Sequence, residues 1–369
     1  MSLAAPDVYD DLLTVLRARP QTRPTLRTQG MAAATARYAE AVEADGSTQA
    51  VYATRLDWVL AQIALARAFR EFLTAADVVI SAVPYEMTFL GAQVERAAEL
   101  TGACVIGAGG GGTVCPAARI VDLIWRYEPT VLIASAQLAA ELAQLSAESG
   151  RDVASSSVRT IVIAGEACSR ERLQSLAAAW AAEPRMIYGT DAIPTIATPC
   201  EFGVLHVGER LWPTVQPVDS MRASGTDSSI RGELQVAQLH SPVTQPQATG
   251  DVVELSFAPC PCQDTRPGVT PLGRIIDAVD TGQELIPLGD IERIVFSYKE
   301  LRGPWSCVSA ANVVEASCVG APGLSAQERH QVQSAVEQVV RAQLGVDLRL
   351  DVLDGPTGHT PPPGTDGTP

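Results

Sequence analysis

Lysine is almost missing from this chain of 369 residues: of 27 basic residues only Lys299 is a lysine, and the rest are arginines. Against 42 acidic residues this leaves a formal net charge of −15. No run of basic residues interrupts that balance. A chain this acidic lacks the electrostatic footprint that nucleic acid or an anionic lipid surface requires. Abundant Ala, Arg and Gly match a GC-rich coding sequence, which accounts for part of the lysine scarcity without any functional cause. A long apolar run is missing too. The most apolar stretch, WVLAQIALARAF (58–69), is broken by Arg67 and is too short to cross a bilayer. The first twenty residues show no charged segment leading into an apolar one. These absences lead to the expectation of a soluble, cytoplasmic protein with neither nucleic acid nor membrane as partner.

Cysteines are few, and in a reducing compartment clusters among them read as metal or catalytic candidates. Two of the eight, Cys260 and Cys262, stand one residue apart in APCPCQDT (258–265). A disulfide across so short a gap is strained, so the pair reads as a grip on something else.

Residues 7–19 and 48–74 carry apolar residues at helical spacing. Strands are expected over 75–84, 130–135, 158–165 and 185–189, and in 103–112 a strand running into a glycine loop, alternating with helices over 89–102, 117–129, 136–150 and 169–183. This alternation predicts α/β layers around a mostly parallel sheet. After residue 200, short β-like runs (232–239, 251–257) between proline-rich turns predict an antiparallel, barrel-like part. From about 275 a small α+β unit follows, with a helix over 325–344 and a strand after it. The expected division is 1–274, 275–355 and a Pro/Gly/Thr-rich tail, 356–369, expected to be disordered.

Three segments carry a family likeness. They are VRTIVIAGEACSRERLQSL (158–176) with MIYGTDA (186–192), CEFGVLHVGERLWPTVQPVD (200–219), and ATGDVVELSFAPCPCQDTRPGVTPLGRIIDAVDTG (248–282). Over roughly 75–300 the chain resembles the adenylate-forming acyl- and aryl-CoA synthetases, most of all the phenylacetate–CoA ligase branch. The resemblance implies a large AMP-binding N-lobe (1–274) and a small C-lobe (275–355). It implies ATP, AMP and Mg²⁺ as ligands and a small carboxylic acid as substrate. The acyl group would pass to a thiol of CoA or a carrier protein, or to an amine. Gly165, Glu166 and Ala167 match the adenine loop, and Tyr188, with Gly189 and Thr190, matches the residue that stacks on adenine. Asp251 matches the carboxylate that accepts the ribose hydroxyls, a task for an ionised bidentate acceptor. Arg274 matches the second ribose or phosphate contact.

The sequence departs from the family at its phosphate-handling positions. Ala192 stands where a glutamate would bind Mg²⁺, with Asp191 one residue early. In TLRTQGMAAATARYAE (25–40), Thr28 and Gly30 remain, but Ala32, Ala33 and Ala34 replace threonine, glycine and lysine. The tail has no counterpart of the catalytic lysine, and Lys299 lies too early in the chain. Removing one preorganised cation from a developing phosphate charge costs on the order of 3–4 kcal/mol of barrier. Two readings therefore stand. One is an acid–thiol or acid–amine ligase for an aryl or short acyl acid. The other is a degenerate member acting as a binding or partner protein, or transferring an acyl group without ATP. A protein partner and a homo-oligomer are both left open.

Cys200-x5-His206 and Cys260-x-Cys262 together make a Cys3His set, the donor pattern of structural zinc, and the resemblance to some members of this branch strengthens that reading. Its alternative is two buried thiols beside an ordinary loop histidine. Cys104, Cys115, Cys168, Cys307 and Cys318 are expected in the core, Cys168 with access to a pocket, and His240 is a candidate for the acyl pocket. GAGGGGTVC (107–115) lacks the lysine–serine end of a phosphate loop.

Overall fold

Short, unbroken apolar runs set the centre of the fold. In the computed structural model, which describes residues 35–42, 48–191, 193, 195–221, 228–238, 246–310 and 313–355, the described part opens with an antiparallel hairpin. Its strands are β1 (Thr35–Val42) and β2 (Thr48–Thr54), and β2 runs straight into helix α1 (Arg55–Phe69). The helical reading of 48–74 is thus corrected. TQAVYAT is rich in β-branched and aromatic residues and pairs with β1 as a strand, and the helix ends at Phe69. The amphipathic stretch 7–19, most of the worn phosphate loop, Ala192, His240 and the tail 356–369 lie outside the described residues.

The α/β part then alternates: β3 (Val78–Ala82), α2 (Leu90–Glu99), β4 (Cys104–Gly107), α3 (Ala117–Tyr127), β5 (Val131–Ala134), α4 (Ala136–Glu148), β6 (Thr160–Ile163), α5 (Arg170–Trp180) and β7 (Glu183–Met186). The five strands form a parallel sheet in the order β4-β3-β5-β6-β7. Side chains alternate between its faces, as strand geometry requires. Ile80, Leu132, Ile161 and Ile163 enter one core with α3, α4 and α5, whereas Val79, Val131, Ile133 and Val162 enter another with α1 and α2. Ser135 and Ser169 cap α4 and α5, each accepting a backbone N–H with its hydroxyl. β7 ends at Met186, in register with the last residue of β6, rather than running over 185–189 as expected. This frees Tyr188 to bridge Ala197.

The second layer is a six-stranded antiparallel sheet: β8 (Ala197–Pro199), β9 (Leu205–Val207), β10 (Leu211–Gln216), β11 (Ser229–Gln238), β12 (Gln247–Ser256) and β13 (Gly268–Arg274), in the order β10-β11-β12-β13-β9-β8. This is the expected barrel-like part. Its Leu234, Val236, Val253 and Leu255 join the core beneath α3, α4 and α5.

A small α+β unit follows. A short hairpin, β14 (Val279–Asp280) with β15 (Leu285–Ile286), leads into α6 (Leu288–Val295). β16 (Leu301–Ala310), β17 (Val313–Gly320), α7 (Ala326–Leu344) and β18 (Asp347–Leu353) complete it, with β17 and β18 parallel. Ser325 and Glu328 close a capping box at the start of α7. Leu301, Val314, Val336, Val340 and Leu350 belong to its core. The first turn of α6 lies against the backbone of β13: a Cβ on Gly289 would stand 2.8 Å from the carbonyl oxygen of Leu272. Among the described residues no helix is long and apolar enough to cross a membrane.

One polar cluster pins the amino ends of the parallel strands. Asp77, 4% exposed, accepts hydrogen bonds from Thr130 and Arg159 at 2.6 Å each and from the backbone and hydroxyl of Thr74 at 2.8 and 2.9 Å. Burial alone would raise its pKa, but the bonds from Thr130, Arg159 and Thr74 outweigh it and hold the carboxyl at about 2, below the ordinary 3.8. A depressed carboxylate contributes fully above its unfolded value, and the contribution fades as pH falls from about 4 to 2. We expect Asp77→Asn to cost about 2 kcal/mol at pH 7 and the gap from wild type to close toward pH 2. Urea unfolding at several pH values measures it.

Candidate functional site

All eight residues expected to bind nucleotide meet at one cavity of about 840 Å³, where the carboxyl ends of the parallel strands face the antiparallel sheet and the C-terminal unit. Ligands of open α/β sheets bind at such strand ends. Gly165, Glu166 and Ala167 leave β6, and Tyr188, Gly189, Thr190 and Asp191 follow β7. Asp251 and Arg274 come from β12 and β13. Gly165 turns the chain at φ +90°, a conformation that favours glycine, and a Cβ there would stand 3.0 Å from Leu90.

Asp251 organises this wall. It is 8% exposed, it pairs in register with Arg274, and Arg274 Nε lies 3.2 Å from Oδ1. The Tyr188 hydroxyl donates to Oδ2 at 2.8 Å. Burial pushes the Asp251 pKa up to about 6, against the lowering effects of the Tyr188 bond and the Arg274 charge. Burial, and then the Asp251 charge, push the Tyr188 hydroxyl well above 10, so it remains a donor. Asp191 is also raised by burial, while Thr88 and Arg274 act to lower it.

Across the cavity, Glu166 accepts the backbone N–H of Gln137 at 2.7 Å, in the first turn of α4, where a helix end favours negative charge. Burial raises its pKa, offset by the Arg172 guanidinium at 3.6 Å. Arg172 is 3% exposed and bonds Glu292 of α6 at 3.0 Å and the Gln137 side chain at 3.1 Å. Glu292 also accepts the Ser169 backbone N–H, at 2.5 Å. A second buried pair lies along the same helix: Asp290 accepts from Arg231 at 2.6 Å, and Arg231 also reaches Glu254 at 3.3 Å. Trp305 and Cys307 of β16 complete the wall. Arg172, Gln137, Glu292, Trp305 and Cys307 were missed in the sequence. No signal in the sequence pointed to them: Asp290 and Glu292 stand beside Arg293 in GDIERIV like the acids of any exposed helix.

The Cys3His residues come together in a second place. The ligand atoms of Cys200, His206, Cys260 and Cys262 all lie within 4.8 Å of one another. Cys200 and His206 sit on the β8–β9 hairpin, and Cys260 and Cys262 on the loop that closes β12 onto β13. The Cys200 and Cys260 sulfurs are 3.9 Å apart, and Cys262 Sγ is 3.3 Å from His206 Nε2. The edges of a tetrahedral zinc site measure about 3.8 Å between sulfurs and about 3.6 Å between sulfur and nitrogen. His206 Nδ1 lies 3.0 Å from the Arg266 carbonyl. A carbonyl can only accept, so Nδ1 carries the proton and Nε2 offers its lone pair to the cluster. The donor set fits zinc.

Of the remaining cysteines, Cys168 and Cys318 are buried and Cys115 and Cys307 are half-buried, whereas Cys104 is exposed because β4 is the sheet's edge strand, correcting the expectation of a core residue. Cys168 lines the cavity as expected, with its thiol pushed well above 9 by burial. Lys299 is exposed and away from the cavity.

A parallel sheet, a barrel-like antiparallel sheet and a small α+β unit around one such cavity form the fold of the adenylate-forming acyl- and aryl-CoA ligases. No family model matches the chain, and no curated protein matches its sequence. Among solved structures, 2-hydroxyisobutyryl-CoA ligase in the postadenylation state, in complex with 2-HIB-AMP, superposes with a TM-score of 0.72 at 17% identity, over 88% of this chain and 71% of that one. An anthranilate CoA ligase in complex with anthranoyl-AMP gives 0.62 at 13% identity, over 86% of this chain and 62% of that one. A benzoate CoA ligase from Burkholderia xenovorans LB400 gives 0.57 at 15% identity, over 89% and 66%.

Removing one partner of a buried pair strands the other charge. Glu292→Ala is expected to cost about 3–5 kcal/mol, and the double change Arg172→Met, Glu292→Met far less than the sum of its parts. A double-mutant cycle in urea unfolding checks this.

Proposed function

We propose that the 840 Å³ cavity binds an adenylate and that the chain acts as an acid–thiol or acid–amine ligase of the phenylacetate–CoA ligase type. The observation that carries this reading is Asp251. Its carboxylate is ionised at neutral pH, oriented by Tyr188 and Arg274, and stands in the cavity wall, where it would accept paired ribose hydroxyls. Gly165, Glu166 and Ala167 would border the base, with Tyr188, Gly189 and Thr190 opposite. The acid would be an aryl or short acyl acid, with CoA, a carrier-protein thiol or an amine as acceptor. Mg²⁺ binds through one or two carboxylates together with substrate phosphates, and Asp191 is the carboxylate of this wall that would meet it. We place the lobe boundary after Arg274, since the apolar cluster built from residues 279–352 is distinct from those around the parallel sheet.

A second reading has its own support. Among the described residues, the two arginines lining the cavity, Arg172 and Arg274, are each already engaged by a carboxylate, and Lys299 lies elsewhere. This favours retention of an adenylate or an acyl group over turnover of ATP, as in a binding protein or an ATP-independent acyl transferase.

Structural zinc on Cys200, His206, Cys260 and Cys262 belongs to either reading. It would tie the β8–β9 hairpin to the β12–β13 loop and take no part in the chemistry, since four protein ligands leave no open position.

ATP–pyrophosphate exchange with a panel of aryl and short acyl acids separates the two readings: exchange supports the ligase, and AMP binding without exchange supports the second. In calorimetry AMP should bind at pH 7.5 and weaken as pH falls through about 6, because protonation turns one of the two Asp251 acceptor oxygens into a donor. Asp251→Asn should weaken it at least tenfold, a loss of about 1.4 kcal/mol. AMP binding indifferent to that substitution would sink the assignment of this cavity. Elemental analysis of the purified protein should find about one zinc, and His206→Ala should remove it.

A further inference from the structure

The Cys3His cluster is open on one side. Cys200, Cys260 and Cys262 are half-buried, and Cys200, His206 and Cys262 line a second cavity, of about 720 Å³, whose other wall is α1. A small oxidant entering that cavity therefore meets Cys200 and Cys262 without unfolding the chain, and a metal held there would keep the sulfurs as thiolates, the form that oxidises when accessible. The sulfurs of Cys200 and Cys260 stand 3.9 Å apart, on two different hairpins. Closing that gap to the roughly 2.05 Å of a disulfide takes a small movement of two loops. Cys260 and Cys262, with one residue between them, would form a strained ring instead.

We propose that Cys200 and Cys260 are a peroxide-sensitive modification site, whose oxidation to a disulfide removes two of the four metal ligands. One thiolate attacks the O–O bond of hydrogen peroxide, forming S–OH and releasing hydroxide. The second thiolate attacks that sulfur, forming the S–S bond and releasing a second hydroxide. The sulfur pair loses two electrons and the peroxide gains them. Cys262 and His206 alone do not make a closed zinc site, so the metal leaves. Metal release rests on the zinc reading, whereas the pairing of the sulfurs does not.

The test treats the full-length, zinc-loaded protein with hydrogen peroxide beside a chromogenic zinc chelator, then alkylates, digests and maps the cysteines. Exposed Cys104 is the reference thiol. The expected result is about one zinc released per disulfide, a Cys200–Cys260 cross-linked peptide, and recovery of the thiols with dithiothreitol. Cys200→Ser should abolish the cross-link and Cys104→Ser should leave it unchanged. Oxidation of Cys104 with Cys200 and Cys260 still alkylatable overturns the proposal, as does a cross-link between Cys260 and Cys262. If the protein holds no zinc, a Cys200–Cys260 cross-link in the metal-free chain still supports the pairing and its absence overturns it, so the zinc reading and the pairing fail separately.

Discussion

Two carboxylates on one short helix, each buried against an arginine from a different layer, hold the C-terminal unit where the cavity needs it. Glu292 reaches the α/β layer through Arg172 and the start of α5, and Asp290 reaches the antiparallel sheet through Arg231. Such pairs are worth little net against apolar replacements, yet separating one without rehydrating it is costly. They therefore penalise dry arrangements in which the unit shifts, more than they add to stability. Gly289 makes the fit steric as well, since a side chain there would collide with β13.

The same helix shapes the electrostatics of the cavity. Arg172 faces Glu292 and Glu166, and Arg274 faces Asp251. Both arginines of the cavity wall are thus engaged within the protein before any ligand arrives, and carboxylates outnumber them there. A ligand gains hydrogen-bond acceptors here more readily than cations. That suits the hydroxyl-rich part of an adenylate better than a string of phosphates, and it agrees with the alanines found where the family resemblance calls for threonine, glycine and lysine.

Much of this was legible in the sequence, for reasons particular to the residues. VVISA, VLIA and TIVI are short, mostly apolar runs, each preceded by a polar residue, so the parallel strands could be read directly. The Cys3His set could be read because thiols and imidazoles are scarce in this chain. The strand Thr48–Thr54 could not, because it enters α1 with no breaker between them and its apolar residues continue the helical spacing. Nor could the clasp on α6: charge shows in a sequence, but burial does not, and Asp290 and Glu292 read like any solvated acids. Asp251 was singled out through its motif, while its burial and raised pKa became evident only with the fold.

The β12–β13 hairpin carries Asp251 and Arg274 at one end and the loop of Cys260 and Cys262 at the other. Strand side chains alternate between faces, so a one-residue slip of β12 against β13 would turn Asp251 away from the cavity and present Gly250 or Val252 instead. A metal holding the far loop to the β8–β9 hairpin would therefore act as a register lock. It would set, some 17 Å away at about 3.4 Å per residue, which face of the sheet the carboxylate occupies.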